Sequence, residues 1–248
     1  MTEGPVVSVQ ENGQEVGEFR VVAPERAIEW LKDGWQHFRA APGIWVLISL
    51  ALVVLNVIIG LLPPMMGGAA AAILMPLISG GLMATCDLQD KGEAIQFDDL
   101  LRGFRENTGP LATLGGLLLL GFLAISVIAL VLGGVGALLG ALGSTGIGAV
   151  LALGSLLLAG LVMLILLAGL TMAAWFAPAL VMFGVKTPKE ALRSSFLACL
   201  KNWLPMLIHG ILVWLLMFLS ILTAGLGLLI LIPVLAGSIY RSYRDIYA

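Results

Sequence analysis

Charged residues divide the chain into alternating polar and apolar segments. Three long stretches contain no Asp, Glu, Lys or Arg: 47 residues between Arg39 and Asp87, 79 between Glu106 and Lys186, and 39 between Lys201 and Arg241. A membrane-spanning helix needs about 20 consecutive apolar residues. The first and third stretches are therefore each long enough for two spanning helices that are joined by a tight turn.

The middle stretch is long enough for three crossings, which would place the C-terminus on the opposite side of the membrane. Its centre, residues 133–148, contains seven glycines, and glycine is unfavourable in the interior of a helix. This pattern favours an apolar, partly immersed loop between two long helices. We therefore predict an all-α bundle of six transmembrane helices, at about 43–62, 67–86, 110–132, 149–174, 203–222 and 226–241.

The distribution of basic residues predicts the orientation of these helices. All 13 Lys and Arg residues fall on one side of the six-helix arrangement, and basic loops of membrane proteins are retained in the cytoplasm. Three crossings in the middle stretch would export six of them. Both termini are therefore predicted to be cytoplasmic. Residues 1–23 are polar and acidic and lack a basic segment before an apolar run, so we predict a disordered cytoplasmic tail rather than a cleaved signal peptide.

The membrane domain, residues 24–248, reads as three similar units, at about 24–88, 97–185 and 188–248. Each unit is predicted to contain an amphipathic interfacial helix followed by a transmembrane hairpin. The second helix of each hairpin contains a proline, Pro76, Pro178 or Pro233, which predicts a helix kink. Because each unit crosses the membrane twice, the three units would be parallel repeats. The alternative is that three unrelated hairpins share features common to membrane proteins.

Composition and charge narrow the class of protein further. The chain is 60% hydrophobic and 11% charged, with a mean hydropathy of +1.05, whereas soluble domains are about 25% charged. These values exclude an ordinary soluble domain and require that lipid cover much of the surface. The formal net charge of −2 argues against nucleic acid as a partner, because neutralising phosphates needs an excess of basic residues.

The predicted spans offer few candidates for chemistry. Apart from Arg241 at the end of the sixth span, they contain no charged residue, which argues against ion-coupled transport through buried carboxylates. His209 and Asn56 are the polar candidates, either as ligand contacts or as hydrogen bonds between helices. Cys86 and Cys199 do not stand in a spacing typical of a metal site, so we interpret them as buried, unreactive thiols. No phosphate-binding loop, metal-ligand spacing or catalytic triad can be recognised, and we predict no enzyme activity, metal or cofactor.

Several segments together resemble a known family. They are Gly80-Gly81-Leu-Met, the stretch from Phe97-Asp-Asp-Leu to Phe104, Phe176-Ala-Pro178, Ser194 to Trp203, and the final Tyr243-Arg-Asp-Ile-Tyr. These residues resemble an uncharacterised family of proteobacterial inner-membrane proteins, which is similar to the group containing the membrane domain of some glycerophosphodiester phosphodiesterases. The resemblance covers about residues 24–248. It implies a multi-pass location in the bacterial plasma membrane and a six-helix fold, and it supplies no catalytic residues.

Two functional hypotheses follow from these observations. In the first, the protein is a membrane scaffold or lipid-interacting factor, and Lys186, Lys189, Arg193 and Lys201 contact lipid headgroups at the cytoplasmic surface. In the second, it is a small permease for a neutral or amphipathic solute that binds near the three proline-containing helices. Membrane lipids are the expected partners, with a membrane-protein partner or a second copy of the chain as further candidates.

Overall fold

The structure is a computed structural model that describes residues 6–11, 14–142 and 146–247. Within these ranges, two antiparallel strands precede eight α helices and one 3₁₀ helix. The strands are β1 (Val6–Glu11) and β2 (Gln14–Arg20), and the 3₁₀ helix is Phe97–Phe104. The helices are α1 (Arg26–Ala40), α2 (Pro42–Gly60), α3 (Pro64–Asp90), α4 (Thr108–Leu142), α5 (Gly146–Met182), α6 (Pro188–Lys201), α7 (Trp203–Leu222) and α8 (Leu228–Tyr247).

Five of the described helices, α2, α3, α4, α5 and α7, are long and apolar enough to cross a membrane. The predicted sixth span is not confirmed, because α8 is not among the helices that are long and apolar enough to cross a membrane. Its apolar part, residues 228–239, is about 18 Å long at about 1.5 Å per residue, whereas the hydrocarbon core of a bilayer is about 30 Å thick. The charged residues Arg241, Arg244 and Asp245 follow it within the same helix.

Helix α8 lies inside the bundle rather than on its lipid-facing surface. It packs against α1, α2 and α3, and residues on all its faces are buried, including Val234, Gly237 and Tyr240. Because neighbouring helices cover it, α8 does not need the long apolar surface of a helix that contacts lipid.

The predicted loop at residues 133–148 is wrong for the part of this segment that the structure describes. Helix α4 continues to Leu142 and α5 begins at Gly146, while residues 143–145 lie outside the described ranges. In lipid the backbone must satisfy its own hydrogen bonds, which favours continuing a helix over an immersed loop. Close packing accounts for part of the glycine content: a Cβ at Gly136 would lie 2.2 Å from Ser155 Oγ on α5, so a side chain at Gly136 would force Ser155 to move.

The predicted disordered tail at residues 1–23 also differs from the structure. Strands β1 and β2 pair in antiparallel register across residues 6–11 and 14–20, and Phe19 is buried. Alternating Val residues favour a strand, and Asn12-Gly13 is the strongest short hairpin signal in a sequence. The positions 1–5, 12 and 13 of the predicted tail lie outside the described residues.

One end of the bundle, which we call the polar end, brings together the polar termini of the helices. The indole of Trp45 at the start of α2 donates to Gln89 Oε1 at the end of α3 over 3.0 Å. Asn107 beside the start of α4 donates to the carbonyl of Met182 at the end of α5 over 2.8 Å. Asn202, before α7, accepts the backbone N–H of residue 22 over 2.8 Å. The helix pairs α2–α3 and α4–α5 are therefore hairpins whose open ends share this polar end.

The short helices pack in a recurring way. Helix α1 packs against α8, the 3₁₀ helix packs against α3, and α6 packs against α5. The three partner helices are those that contain Pro76, Pro178 and Pro233. Each short helix therefore packs against the proline-containing helix of a predicted unit other than its own. Helix α1 of the first unit, for example, packs against α8 of the third.

Candidate functional site

An apolar groove, which we call the lateral groove, lies between α5 and α7 beside the end of α6. Its volume is about 510 Å³. Its walls are almost entirely apolar, and two of its tryptophans, Trp203 and Trp214, are exposed. The remaining lining includes Met172, Trp175, Cys199, Met206, Gly210 and Ile211. A groove of this composition, open at the surface of a membrane helix pair, suits an acyl chain.

Two further cavities are joined by shared lining residues, and we call them together the proline chamber. One, of about 520 Å³, lies between α3, α4 and α5 and is lined by both Pro76 and Pro178. The other, of about 350 Å³, lies between α3, α5 and α8. They have four residues in common: Ser79, Thr171, Ala174 and Pro178. The second helices of the predicted hairpins therefore meet around this space.

The three predicted kink residues, Pro76, Pro178 and Pro233, are buried inside α3, α5 and α8. Proline has no backbone N–H, so the carbonyl four residues earlier lacks its usual helical donor. That carbonyl belongs to Ala72 in α3 and to Ala174 in α5. Ala72 is also closely approached by α4, since a Cβ at Gly115 would lie 2.7 Å from its oxygen.

His209 is buried near the polar half of α7. Its Nε2 lies 2.7 Å from Ser238 Oγ on α8, and its ring contacts Trp30 and Trp175 edge to face, with ring centroids 5.8 Å apart in both pairs. His209 therefore links α7 to α8, α1 and α5. Its Nδ1 has no hydrogen-bond partner among the described residues.

Asn56 lies elsewhere. It is exposed on α2, and no hydrogen bond within the described part of the chain joins it to another helix. The structure therefore does not bring Asn56 and His209 together, and neither residue lines the lateral groove or the proline chamber.

The basic residues of the α6 region lie on its outer side. Lys189, Arg193 and Lys201 are exposed and Lys186 is partly exposed. The opposite face of α6 is buried against α5, where Ser195 Oγ donates to the carbonyl of Met172 over 2.7 Å.

The local structure of α6 follows directly from its sequence. Thr187 and Glu190 form a capping box, with the backbone N–H of Thr187 donating to Glu190 over 3.0 Å. The hydrogen bond from the Thr187 hydroxyl lowers the pKa of Glu190. On the buried face, burial raises the pKa of the Cys199 thiol to about 12. Cys199 therefore remains a thiol at neutral pH, and its reactivity is low.

Sequence reasoning missed an ion-pair network at the polar end, between α3 and α8. Asp87 accepts a hydrogen bond from Tyr240 Oη over 2.9 Å and pairs with Lys91 over 2.6 Å. Asp90 pairs with Arg241 over 2.7 Å. The available signal was the presence of acidic residues at the end of α3 and of basic residues in the Tyr-Arg-Ser-Tyr-Arg stretch of α8, from which we inferred only topology and the family resemblance.

The same network continues to α1. Arg26 Nε donates to Asp245 over 2.8 Å and Trp30 Nε1 donates to the same carboxylate over 2.5 Å. Gln89 Nε2 at the end of α3 donates to the backbone carbonyl of His37 on α1 over 2.8 Å. These contacts fix α1 to both α8 and α3, and they explain why charged residues at this end are partly buried yet paired.

One curated protein is similar enough to this chain to indicate common ancestry. It is a probable inner membrane protein of Burkholderia thailandensis, to which this chain is 30% identical over 228 residues, covering 88% of this chain and 82% of that protein. No family model matches the chain. No solved structure matches it either.

Proposed function

Because the chain belongs to the family of this Burkholderia inner membrane protein and has several helices able to cross a membrane, we propose that it is a lipid-interacting protein of the bacterial inner membrane. The acyl chain of an anionic phospholipid would occupy the lateral groove, and its headgroup would lie against the basic end of α6. The observation that carries this proposal is that the exposed Lys201 lies in the chain between Cys199 and Trp203, two residues that line the apolar groove.

The sequence around Lys201 links the charge to the groove. Lys201 is exposed and lies between Cys199 and Trp203, both of which line the groove. Trp203 is an exposed aromatic residue at a helix start, a position where tryptophan commonly sits at headgroup level. A basic residue beside an apolar groove matches the chemistry of an anionic phospholipid.

The remainder of the α6 region adds to this attraction. Residues 186–201 contain three lysines and one arginine against a single acid, Glu190, although the whole chain has a formal net charge of −2. Each basic residue near an anionic membrane surface contributes about 1 kcal/mol of binding. We propose that α6 lies in the membrane interface as an amphipathic helix with its basic side towards the headgroups.

The same proposal includes the orientation and the repeat architecture. The polar end would face the cytoplasm, with both termini there and α8 as a sixth, protein-covered crossing. The recurring pairing of α1 with α8, the 3₁₀ helix with α3, and α6 with α5 supports three related units arranged around an axis along the membrane normal. We propose no enzymatic role, and the partners are membrane lipids rather than nucleic acid.

A permease for a neutral or amphipathic solute is the second candidate. The proline chamber supports it, because the chamber lies where the three proline-containing helices meet. His209 and Asn56, the polar residues expected in such a site, lie outside its lining, which weakens this candidate relative to the first.

Native mass spectrometry of the full chain tests the proposal. The protein would be purified in nanodiscs containing equal amounts of phosphatidylglycerol and phosphatidylcholine, then released in the spectrometer. We expect retention of phosphatidylglycerol by the wild type and reduced retention by Gly210→Leu, which fills the lateral groove without a backbone clash. Lys201→Gln should reduce the preference for phosphatidylglycerol over phosphatidylcholine.

Gly160→Leu is the matched control, because Gly160 lies on α5 outside the groove and a side chain there also meets open space. It should retain lipid as the wild type does. Equal phosphatidylglycerol retention by the wild type, Gly210→Leu and Lys201→Gln would contradict the proposal.

A further inference from the structure

The proline chamber is lined by neutral residues, three of which have hydrogen-bonding side chains: Ser79, Thr171 and Trp175. Its two cavities, of about 520 Å³ and about 350 Å³, share Ser79, Thr171, Ala174 and Pro178. No charged residue lines either cavity within the described part of the chain. A carboxylate, phosphate or ammonium group would therefore have no counter-ion there, and its desolvation would oppose binding.

The chamber nevertheless contains neutral hydrogen-bonding groups that lack partners. The Ser79 hydroxyl makes no hydrogen bond within the described residues. Trp175 lines the smaller cavity, and its buried Nε1–H has no acceptor in the part of the chain that the structure describes. In a membrane interior, an unpaired N–H is unfavourable unless a ligand or water supplies an acceptor.

One of the lining residues also has a backbone carbonyl that lacks its helical donor. Because Pro178 has no N–H, the carbonyl of Ala174 lacks its usual donor from within α5, and Ala174 lines both cavities. The Thr171 hydroxyl, by contrast, already donates to the carbonyl of Leu167 over 2.8 Å. The residues that line the chamber therefore include one unpaired N–H donor, one unpaired hydroxyl and one carbonyl without its helical donor, all of them neutral and set among mostly apolar lining residues.

We infer that the proline chamber binds the hydroxyl head of a neutral amphiphile, such as a long-chain alcohol or a monoacylglycerol. A hydroxyl group is both a donor and an acceptor, so it satisfies an indole N–H and a backbone carbonyl together. The apolar tail would lie in the larger cavity between α3, α4 and α5. That cavity is lined by Met75, Leu118, Phe122 and Leu170 as well as by the prolines.

The site is distinct from the one proposed for anionic lipid. Thr171 and Trp175 line both the lateral groove and the smaller cavity, so these two side chains lie between the two spaces. Gly210 lines only the groove, and Ala174 lines only the chamber. Variants at these two positions therefore test the two sites independently.

Photo-crosslinking on the full chain in nanodiscs tests this inference. The probes are a long-chain alcohol carrying a diazirine and an alkyne, and the fatty acid with the same chain and the same reactive groups. Labelled peptides would be mapped by mass spectrometry. We expect the alcohol to label residues of α3, α5 and α8 that line the chamber, and the fatty acid to label them several-fold less.

Three variants and one control test which residues of the chamber contact the alcohol. Trp175→Phe keeps an aromatic ring but removes the N–H, and it should lower labelling of the chamber about fivefold, the effect of losing one hydrogen bond. Ser79→Ala should also lower it, with a minimal change in volume. Ala174→Leu fills the shared part of both cavities and should abolish labelling, whereas Ala124→Leu, the same exchange at an exposed position on α4, should not.

The outcomes separate this inference from the proposed function. Ala174→Leu should still retain phosphatidylglycerol, and Gly210→Leu should still be labelled by the alcohol. Equal labelling of the chamber by the alcohol and the acid would overturn the inference. Labelling that is unchanged in both Ser79→Ala and Ala174→Leu would overturn it as well, whatever the result for phosphatidylglycerol.

Discussion

Gly34 on α1 lies directly against the backbone of Val234 on α8: a Cβ at Gly34 would lie 2.1 Å from the Val234 carbonyl oxygen. Gly103 of the 3₁₀ helix has the same relationship to α3, with its Cβ position 2.0 Å from the carbonyl oxygen of Leu77. Val234 and Leu77 each follow the proline of their helix. The two short helices thus approach their partners at corresponding positions, and only glycine permits this distance.

Replacing either glycine should therefore destabilise the protein. We expect Gly34→Ala and Gly103→Ala each to lower the free energy of unfolding by about 1–3 kcal/mol, the usual cost of overpacking, because backbone atoms cannot move aside as a side chain can. Thermal unfolding in detergent measures this effect. Gly43→Ala in α2 is the matched control, since a Cβ there meets open space; a loss of stability as large as that of Gly34→Ala would refute the explanation.

Tyr240 and Asp87 give a prediction that depends on pH. Burial, together with the hydrogen bond to Asp87, raises the pKa of Tyr240 above its usual value. Tyr240→Phe should lower the free energy of unfolding by about 1.5–3 kcal/mol at neutral pH, because Asp87 loses its donor. Thermal stability would be measured for both proteins across the alkaline range.

The sign of the pH effect follows from proton binding. Above pH of about 10, the tyrosine ionises in the unfolded chain but stays protonated in the folded one, so the wild type loses stability as the pH rises. Tyr240→Phe lacks this group, so the difference between the two proteins should shrink. A constant difference from neutral pH to above the ordinary tyrosine pKa would contradict the prediction.

The prolines in α3, α5 and α8 are expected to bend their helices or to leave the backbone carbonyl four residues earlier without a hydrogen bond. Pro76→Ala, Pro178→Ala and Pro233→Ala should each straighten a helix and lower the thermal stability in detergent, because neighbouring helices pack against the existing shape. If all three variants unfolded at the temperature of the wild type, the shared proline position would have no mechanical role.

Alkaline phosphatase fusions test the orientation and the sixth crossing. The enzyme should be active when fused after Pro64 or Ala224 and inactive after Glu93 or Lys186, because basic segments remain in the cytoplasm. A fusion after Ala248 should be inactive if α8 returns the chain to the cytoplasmic side. Activity at Ala248 together with activity at Ala224 would show that α8 does not cross.

The sequence predicted the hairpins of α2 with α3 and of α4 with α5, because long charge-free segments have few other stable structures in lipid. The prediction of a loop at residues 133–148 failed because the low helix propensity of glycine in water matters less in lipid, where the backbone must bond to itself. Gly136 also packs beside Ser155. The prediction of six spans overestimated the apolar length of α8, whose covering by α1, α2 and α3 depends on contacts between distant segments. The Asn12-Gly13 dipeptide favours a hairpin, but the polar and acidic composition of residues 1–23 pointed to disorder instead.

The candidate sites were less predictable than the helices. The basic residues of α6 could be identified from the sequence, because charge is visible at every position. The lateral groove and the proline chamber could not, since each depends on how three or more helices diverge. The link between Asp87 and Tyr240 joins residues that are 153 positions apart, and no local pattern reports such a pair.

The pairing of α1 with α8 also has a consequence for biogenesis. The buried face of α1, formed by Ala27, Trp30, Gly34 and His37, finds its partner only when the last described helix has left the ribosome. Until then, this face of α1 lacks the helix that covers most of it. A chain that lacked α8 would leave this tryptophan-containing face of α1 without the helix that covers it.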